Sequence, residues 1–161
     1  MSHERNAHVV AAATEGLAEL QAFRDAMEPS DGSFEAQVQA LLETGVIFYR
    51  AALPMRALLL TDHHLSADFQ DVARRTGMGP QLPVVELAAW VRHWQAHGRI
   101  PAAVRPESAA LMVCGMADYV ASLELTVPDD ILREVVGSEA DLLGLLLTAL
   151  TAVPDRVTVE G

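Results

Sequence analysis

The sequence predicts an all-α domain, an orthogonal bundle of roughly seven helices. Three features predict it. Hydrophobic residues make up 51% of the chain but aromatics only 5%, so Leu, Ala and Val carry the apolar content, and Ala and Leu are strong helix formers. Apolar residues recur at three and four positions and rarely at two, which is the period of a helix and not of a strand. Clusters of Pro, Gly and Ser fall between the periodic stretches, where chain breaks belong. A chain of 161 residues suffices for one domain with its own core. We place that domain over residues 1–153, with a frayed tail over 154–161.

The first helix is expected over residues 3–27, where Val9, Ala12, Ala13, Leu17, Leu20 and Phe23 keep helical spacing. "EPSDGS" then breaks the chain. A second helix follows over 33–52, striped by Phe34, Val38, Leu41, Gly45, Phe48 and Ala52, with Leu42, Val46 and Tyr49 beside the stripe. Pro54 reads as the start of a short separate helix over 55–62, and Ser66 as the cap of another over 67–76. After "GMGPQLP", Pro83 suits a first helical turn. Val84, Leu87, Ala88, Val91 and Trp94 stripe that helix, and Gly98 stops it. Pro106 and Glu107 open a helix that runs to about 124, with Pro tolerated in the first turn and Glu matched to the positive end of the dipole. A short helix over 128–136 ends at Gly137. Ser138 and Asp141 have the spacing of a capping box for a last helix that reaches about 153.

Two of these helices are apolar nearly all round. From Ala109 to Leu123 the polar residues are few, and from Ala140 to Ala152 Leu142, Leu143, Leu145, Leu146, Leu147 and Leu150 crowd every side. A helix without a wide polar face needs cover on most sides. A domain of this size has few elements left to supply it, so the sequence predicts a homodimer through these two helices. The competing arrangement buries both centrally in one chain.

Charge excludes several functions. The 11 basic residues, all Arg, face 22 acidic ones, a net charge of −11. Without Lys there is no Schiff-base chemistry and no phosphate-binding P-loop. Direct nucleic-acid binding needs a basic patch that this balance does not provide, and anionic membranes are disfavoured for the same reason. One cysteine, Cys114, makes no internal disulfide and fits a reducing cytoplasm. "MSHERNAHVV" lacks the order of a signal peptide, and the apolar run "LLGLLLTALTAV" is too short to span a bilayer. The expected location is cytoplasmic.

The stretch "AHGRIPAAVRPESAALMVCGMADYV" resembles the C-terminal effector-binding and dimerisation domain of TetR-type transcriptional regulators. There a helix ends in a Gly-containing turn, a short crossing follows, and a Pro-Glu pair opens a long apolar helix with a small-residue face. Here those features are Gly98, Arg99, Ile100, Pro106, Glu107, Ala109, Ala110 and Gly115. Pro101 stands where the crossing often has Arg, and Arg105 where it often has a capping Asp. Nothing in the sequence resembles the three-helix DNA-reading domain with which such regulators begin. The resemblance therefore implies the sensor half alone, either because that domain is naturally absent or because this chain is a piece. It implies a ligand pocket inside the bundle and a joint, after Gly98, between a pocket-forming and a dimer-forming helix. A full-length regulator of this type is a further possible partner, because dimeric readers need both half-sites.

On that reading the candidate ligand-binding residues for a small hydrophobic molecule are Phe48, Tyr49, Met55, Leu59, Trp90, Trp94, Met112, Met116 and Tyr119. Met adapts its shape, and Trp and Tyr add a polar handle; ordinary core packing accounts for each of them singly. "TDHHL" and "HWQAH" raise metal binding through Asp62, His63, His64, His93 and His97. His93 and His97 have the i,i+4 spacing that zinc sites use, but the helix lacks the Glu of a metalloprotease motif, and His97 is explained by a helix C-terminus. No metal site and no cofactor is expected. Cys114 reads as a buried, unactivated thiol. Arg74 and Arg75 after Asp68 and Asp71 read as a solvated, ion-paired helix face. Asp118 is open between a pocket hydrogen bond, a dimer contact and solvent. No nucleophile elbow, phosphate loop or paired-cysteine site is present, so no catalytic residue is named. The function expected is small-molecule sensing and dimerisation with a regulatory role. Two alternatives stand beside it: a small isomerase- or cyclase-like enzyme for an apolar metabolite, and an interaction module with no pocket.

Overall fold

The computed structural model describes residues 17–30, 32–77 and 79–152. Among the described residues the chain is all α-helical, with no strand. The helices are α1 (Ala18–Met27), α2 (Phe34–Thr61), α3 (His63–Thr76), α4 (Leu82–Ala96), α5 (Pro106–Thr126), α6 (Asp129–Val136) and α7 (Glu139–Thr151). Most of the stretch expected to start the first helix, and the tail from 153 onward, lie outside the described residues.

The helix expected over 3–27 does not run through Leu17, whose backbone is extended (φ −78°, ψ 110°) and caps α1; two further boundaries also differ from the sequence expectation. The helices expected over 33–52 and 55–62 are one helix of 28 residues, with Pro54 inside it. Pro54 contributes no N–H to the helical ladder, but Ala51, Ala52 and Leu53 before it and Met55 to Leu60 after it are good helix formers that carry the helix through. Another correction concerns α3. It starts at His63, not at Ala67, and its cap is Asp62, whose Oδ1 accepts the backbone N–H groups of His64 and Leu65 at 3.0 Å each. Ser66 is therefore inside the helix. The other punctuation falls as the sequence implies. Ser138 and Asp141 form a capping box, and Pro83 and Pro106 sit in first turns; Ser33, expected as the first residue of its helix, is instead the cap of α2 and accepts from Ala36 N.

The crossing between α4 and α5 is tied down at both ends. Gly98 takes φ +70°, a conformation that favours glycine. Beyond it, the N–H groups of Arg99 and Ile100 both donate to the Trp94 carbonyl, at 2.9 and 3.3 Å. Ile100 is buried as the apolar anchor of the turn. Gln95 then donates to the carbonyls of Pro101 and Val104, at 3.0 and 2.7 Å, so one side chain holds the crossing against α4.

The core lies where α1, α2, α4 and α5 meet, with α2 packed most extensively on α5 and α1, and α4 on α5. Gly45 marks the closest approach. A Cβ there would stand 3.1 Å from Phe23 Cε2 and 3.2 Å from the Ala117 methyl, so only glycine lets α1 and α5 come this close to α2. Polar clamps fix the register. Arg24 donates from Nε and Nη2 to the two oxygens of Glu86, joining α1 to α4 at 3.1 and 2.6 Å. Arg50 meets Glu124 at 3.0 Å, and Arg56 meets Asp118 at 2.5 Å; the reversed order of the two pairs shows that α2 and α5 run antiparallel.

The late helices are covered unevenly. On α5, Ala109, Ala110, Val113, Cys114, Ala117, Val120 and Ala121 are buried, while Leu111, Tyr119 and Leu125 are exposed. On α7 only Leu146 and Leu150 are buried, and on α6 no residue is. By length and composition α5 is also apolar enough to cross a membrane, a property it shares with core helices of soluble proteins; its buried face packs on α2 and α4.

Candidate functional site

The second half of α2 passes over the core and leaves a hollow beneath it. Phe48, Tyr49, Ala52, Met55 and Leu59 form its long wall. Leu111, Cys114, Gly115 and Asp118 of α5 face them. Leu17 and Leu20 at the start of α1, Pro83 and Val84 at the start of α4, and Phe69 of α3 close the remaining sides. The cleft holds about 570 Å³, within the size of small-molecule sites, and is apolar over nearly all of its wall. Gly115 helps to make the space: nothing lies within 4 Å of where its Cβ would stand.

Four side chains give this wall its polar chemistry. The Tyr49 hydroxyl and the Cys114 thiol interact. Burial, then Cys114 and Asp118, push the Tyr49 phenol well above its ordinary range. Burial and the Asp118 charge raise the Cys114 thiol, against the opposing pull of Tyr49. Both groups therefore stay neutral at physiological pH. The other two are Arg56 and Asp118, and each is the other's partner: Arg56 Nη1 donates to both carboxylate oxygens at 2.5 Å. The cleft thus offers a neutral hydroxyl–thiol pair in its wall and a self-compensated ion pair. None of the histidines discussed above lines it.

Of the nine candidate residues, Phe48, Tyr49, Met55 and Leu59 line the cleft. Trp90 and Trp94 do not. They form a separate aromatic cluster with Phe34, whose ring stacks on Trp90 at 5.9 Å and meets the edge of Trp94 at 5.2 Å. Their indole N–H groups both donate to Gln37 Oε1, at 2.9 and 3.0 Å. Gln37 is itself buried and donates to Ser30 Oγ at 2.7 Å. The Trp handles are therefore spent inside the fold. Met112 and Met116 are half-buried against the core on another face of α5, and Tyr119 is exposed. The reason is helical phase. Leu111, Cys114, Gly115 and Asp118 follow i, i+3, i+4, i+7 and share one face, whereas Met112, Met116 and Tyr119 share the next. Both faces are apolar, so sequence alone did not mark which one meets the hollow. Arg56, Leu111, Gly115 and Phe69 were missed as wall residues, and Asp118 was singled out without a role. The i+4 partner of Leu111, the one glycine in this helix, was the available signal.

The two histidine segments resolve into local structure. Asp62, with His63 and His64 after it, is a helix cap. The His93 and His97 rings lie 4.2 Å apart, tilted by 36°, and His97 Nδ1 lies 2.8 Å from the His93 carbonyl at the end of α4. Among the described residues no group of three or more His, Cys, Asp or Glu is placed to hold a metal ion.

A second hollow of about 370 Å³ lies under α3 and shares Leu59, Phe69 and Pro80 with the first. Its remaining wall is Ser66, Gln70, Ala73, Arg74 and Gln81. Gly79 allows the chain to run close here, since a Cβ would stand 3.1 Å from the Ala73 methyl and closer still to Gln81. Comparison with known protein families, with curated proteins and with solved structures finds no match.

Proposed function

We propose that this chain is a ligand-sensing and dimerisation domain of TetR-like organisation, cytoplasmic and regulatory, that does not itself read DNA. The observation that carries the reading is the apolar cleft of about 570 Å³ between α2 and α5. A space of that size lined by Met, Phe, Leu and Pro suits a small hydrophobic molecule. Its ionisable groups favour binding over turnover. Tyr49 and Cys114 are held protonated, and Asp118 is clasped by Arg56, so among the described residues no free base faces the hollow.

The dimer rests on the uneven cover of the late helices. Met112, Met116, Tyr119 and Leu123 repeat at i, i+4, i+7, i+11 on the face of α5 next to the cleft. Tyr119 on that face, with Leu125 elsewhere on α5, Ile131 and Val135 on α6 and Leu145 on α7, leaves apolar side chains uncovered. A second copy related by a twofold axis supplies matching cover. The wall of the cleft and the dimer surface then belong to one helix, so a ligand that shifts α5 alters the dimer. The output passes through that dimer, or through a pair formed with a full-length regulator of the same type.

The test combines two measurements. The neutral dye N-phenyl-1-naphthylamine should bind with increased fluorescence and be lost in Gly115→Trp, which fills the cleft, while sedimentation at micromolar protein gives a dimer. A strictly monomeric protein that leaves the dye in water overturns the reading.

A further inference from the structure

Building on the ligand-binding reading, we propose that the ligand is a single-chain amphiphile with an anionic head, its tail in the cleft between α2 and α5 and its head under α3 at Arg74. The starting point is the continuity of the two hollows. They share three walls, Leu59, Phe69 and Pro80, and the half-buried Phe69 stands between a large apolar chamber and a smaller one that is also mostly apolar but carries Ser66, Gln70, Arg74 and Gln81. A mostly apolar molecule with one polar end matches that pair of surfaces, its polar end lying among those four side chains.

The charges decide which end carries the head, and its sign. In the first chamber the ionised side chains, Arg56 and Asp118, already satisfy each other through two bonds of 2.5 Å. An anionic head bound to Arg56 would displace Asp118 and leave two negative groups together in a half-buried place. A cationic head on Asp118 would strand Arg56 in the same way. The first chamber therefore selects the uncharged portion of the ligand. In the second chamber the one ionised wall residue among the described residues is Arg74. Its partner is Asp71 on the same helix, and their side chains are 71% and 60% exposed. A pair so open to water is weak and easily exchanged, so Arg74 can turn to an incoming carboxylate while Asp71 returns to solvent. Ser66 and Gln70 stand beside it as hydrogen-bond donors. α3 itself is lightly seated: its buried residues are Leu65 and Asp68, and it is bounded by the break at Asp62 and by Gly77 at φ +71°. Movement of Phe69 with this helix joins the chambers.

Displacement of N-phenyl-1-naphthylamine by three ten-carbon probes tests this on the full chain: decanoate, 1-decanol and decyltrimethylammonium. We expect decanoate to bind about tenfold or more tighter than either of the others. Arg74→Gln, a change at an exposed side chain, should abolish that advantage by weakening decanoate far more than decanol, and Phe69→Trp should weaken decanoate by thickening the partition. A decanoate advantage that survives Arg74→Gln overturns the head position. Equal binding of all three probes to the wild type overturns the charge assignment and leaves the sensing reading intact. If neither the dye nor any probe binds, both readings fall together.

Discussion

Arg56 on α2 and Asp118 on α5 lie 62 positions apart in sequence, and a single guanidinium nitrogen of Arg56 donates to both oxygens of Asp118 at 2.5 Å. This contact joins the two walls of the cleft and neutralises the charge in it. Its side chains are 49% and 28% exposed, so solvent screens it and its contribution to stability is modest, about 0.5–1 kcal/mol. A double-mutant cycle with Arg56→Gln and Asp118→Asn, read by urea unfolding, should return a coupling energy of that size. A coupling near zero would show that the pair adds nothing to the joint between α2 and α5.

Gln37 is a stronger case, because it is buried. One carbonyl oxygen accepts both Trp90 and Trp94, and the amide donates to Ser30. Gln37→Leu keeps the approximate volume but leaves the buried Trp90 N–H without a partner; Trp94 is half-buried, so water can reach its own. The expected cost is about 1–3 kcal/mol, accompanied by a change in tryptophan emission. Unaltered stability would mean that the cluster stands on ring packing alone.

Helix identity and most helix ends were legible in the sequence because they depend on local chemistry: a serine cap, a glycine at positive φ, a proline in a first turn. The failures share one origin, which is tertiary context. Pro54 reads locally as a break, but α2 continues through it. Asp62 and Ser66 are both acceptable caps, and only the course of the chain at the end of α2 chooses Asp62. Half of the cleft was legible for the same reason. The run of α2 from Phe48 to Leu59 lines the hollow with nearly all of its residues, so apolar residues picked from it fall on the wall. α5 has two apolar faces, and the periodicity of a helix that is apolar on both cannot tell pocket from partner surface. The tryptophans misled because their polar handles suit a ligand as well as they suit a buried glutamine.

Gly115 separates stability from binding. The position is helical and exposed to the cleft, with nothing within 4 Å of a Cβ. Gly115→Ala should raise stability by about 0.5–1 kcal/mol, since glycine carries the larger entropy loss in a helix. Gly115→Leu should keep that stability while it obstructs the wall and weakens the neutral dye severalfold. Gly45 sets the opposite expectation. Gly45→Ala must press on the buried Phe23 and Ala117, and a net loss of about 1–2 kcal/mol follows from overpacking. Thermal unfolding of the two alanine variants side by side checks both signs; a stabilised Gly45→Ala would show that α1 can yield at this crossing.

The titrating groups define a stability plateau with different causes at each edge. Asp62 is held below the ordinary carboxylate range by the Leu65 N–H and then that of His64, and Asp141 by the Ser138 hydroxyl and then its backbone N–H. Glu35 and Glu107 are lowered first by their own backbone N–H groups, then by Arg99 and Arg92. A carboxylate whose folded pKa is depressed contributes stability in full above its unfolded value, about 4, and loses it as pH falls through the folded value. At the other edge Cys114 and Tyr49 are raised, burial being the first cause for both. The folded state keeps those protons longer. Their contribution is complete below the ordinary thiol value of about 8.5 and declines as pH rises beyond it. Urea midpoints should therefore be flat between about pH 5 and 8 and fall on both sides. Asp141→Asn should lower the plateau and flatten the acid limb, and Cys114→Ala should flatten the alkaline limb between about pH 8.5 and 10. An alkaline limb unchanged by Cys114→Ala would place its origin outside the cleft and remove the argument that the thiol there is held neutral.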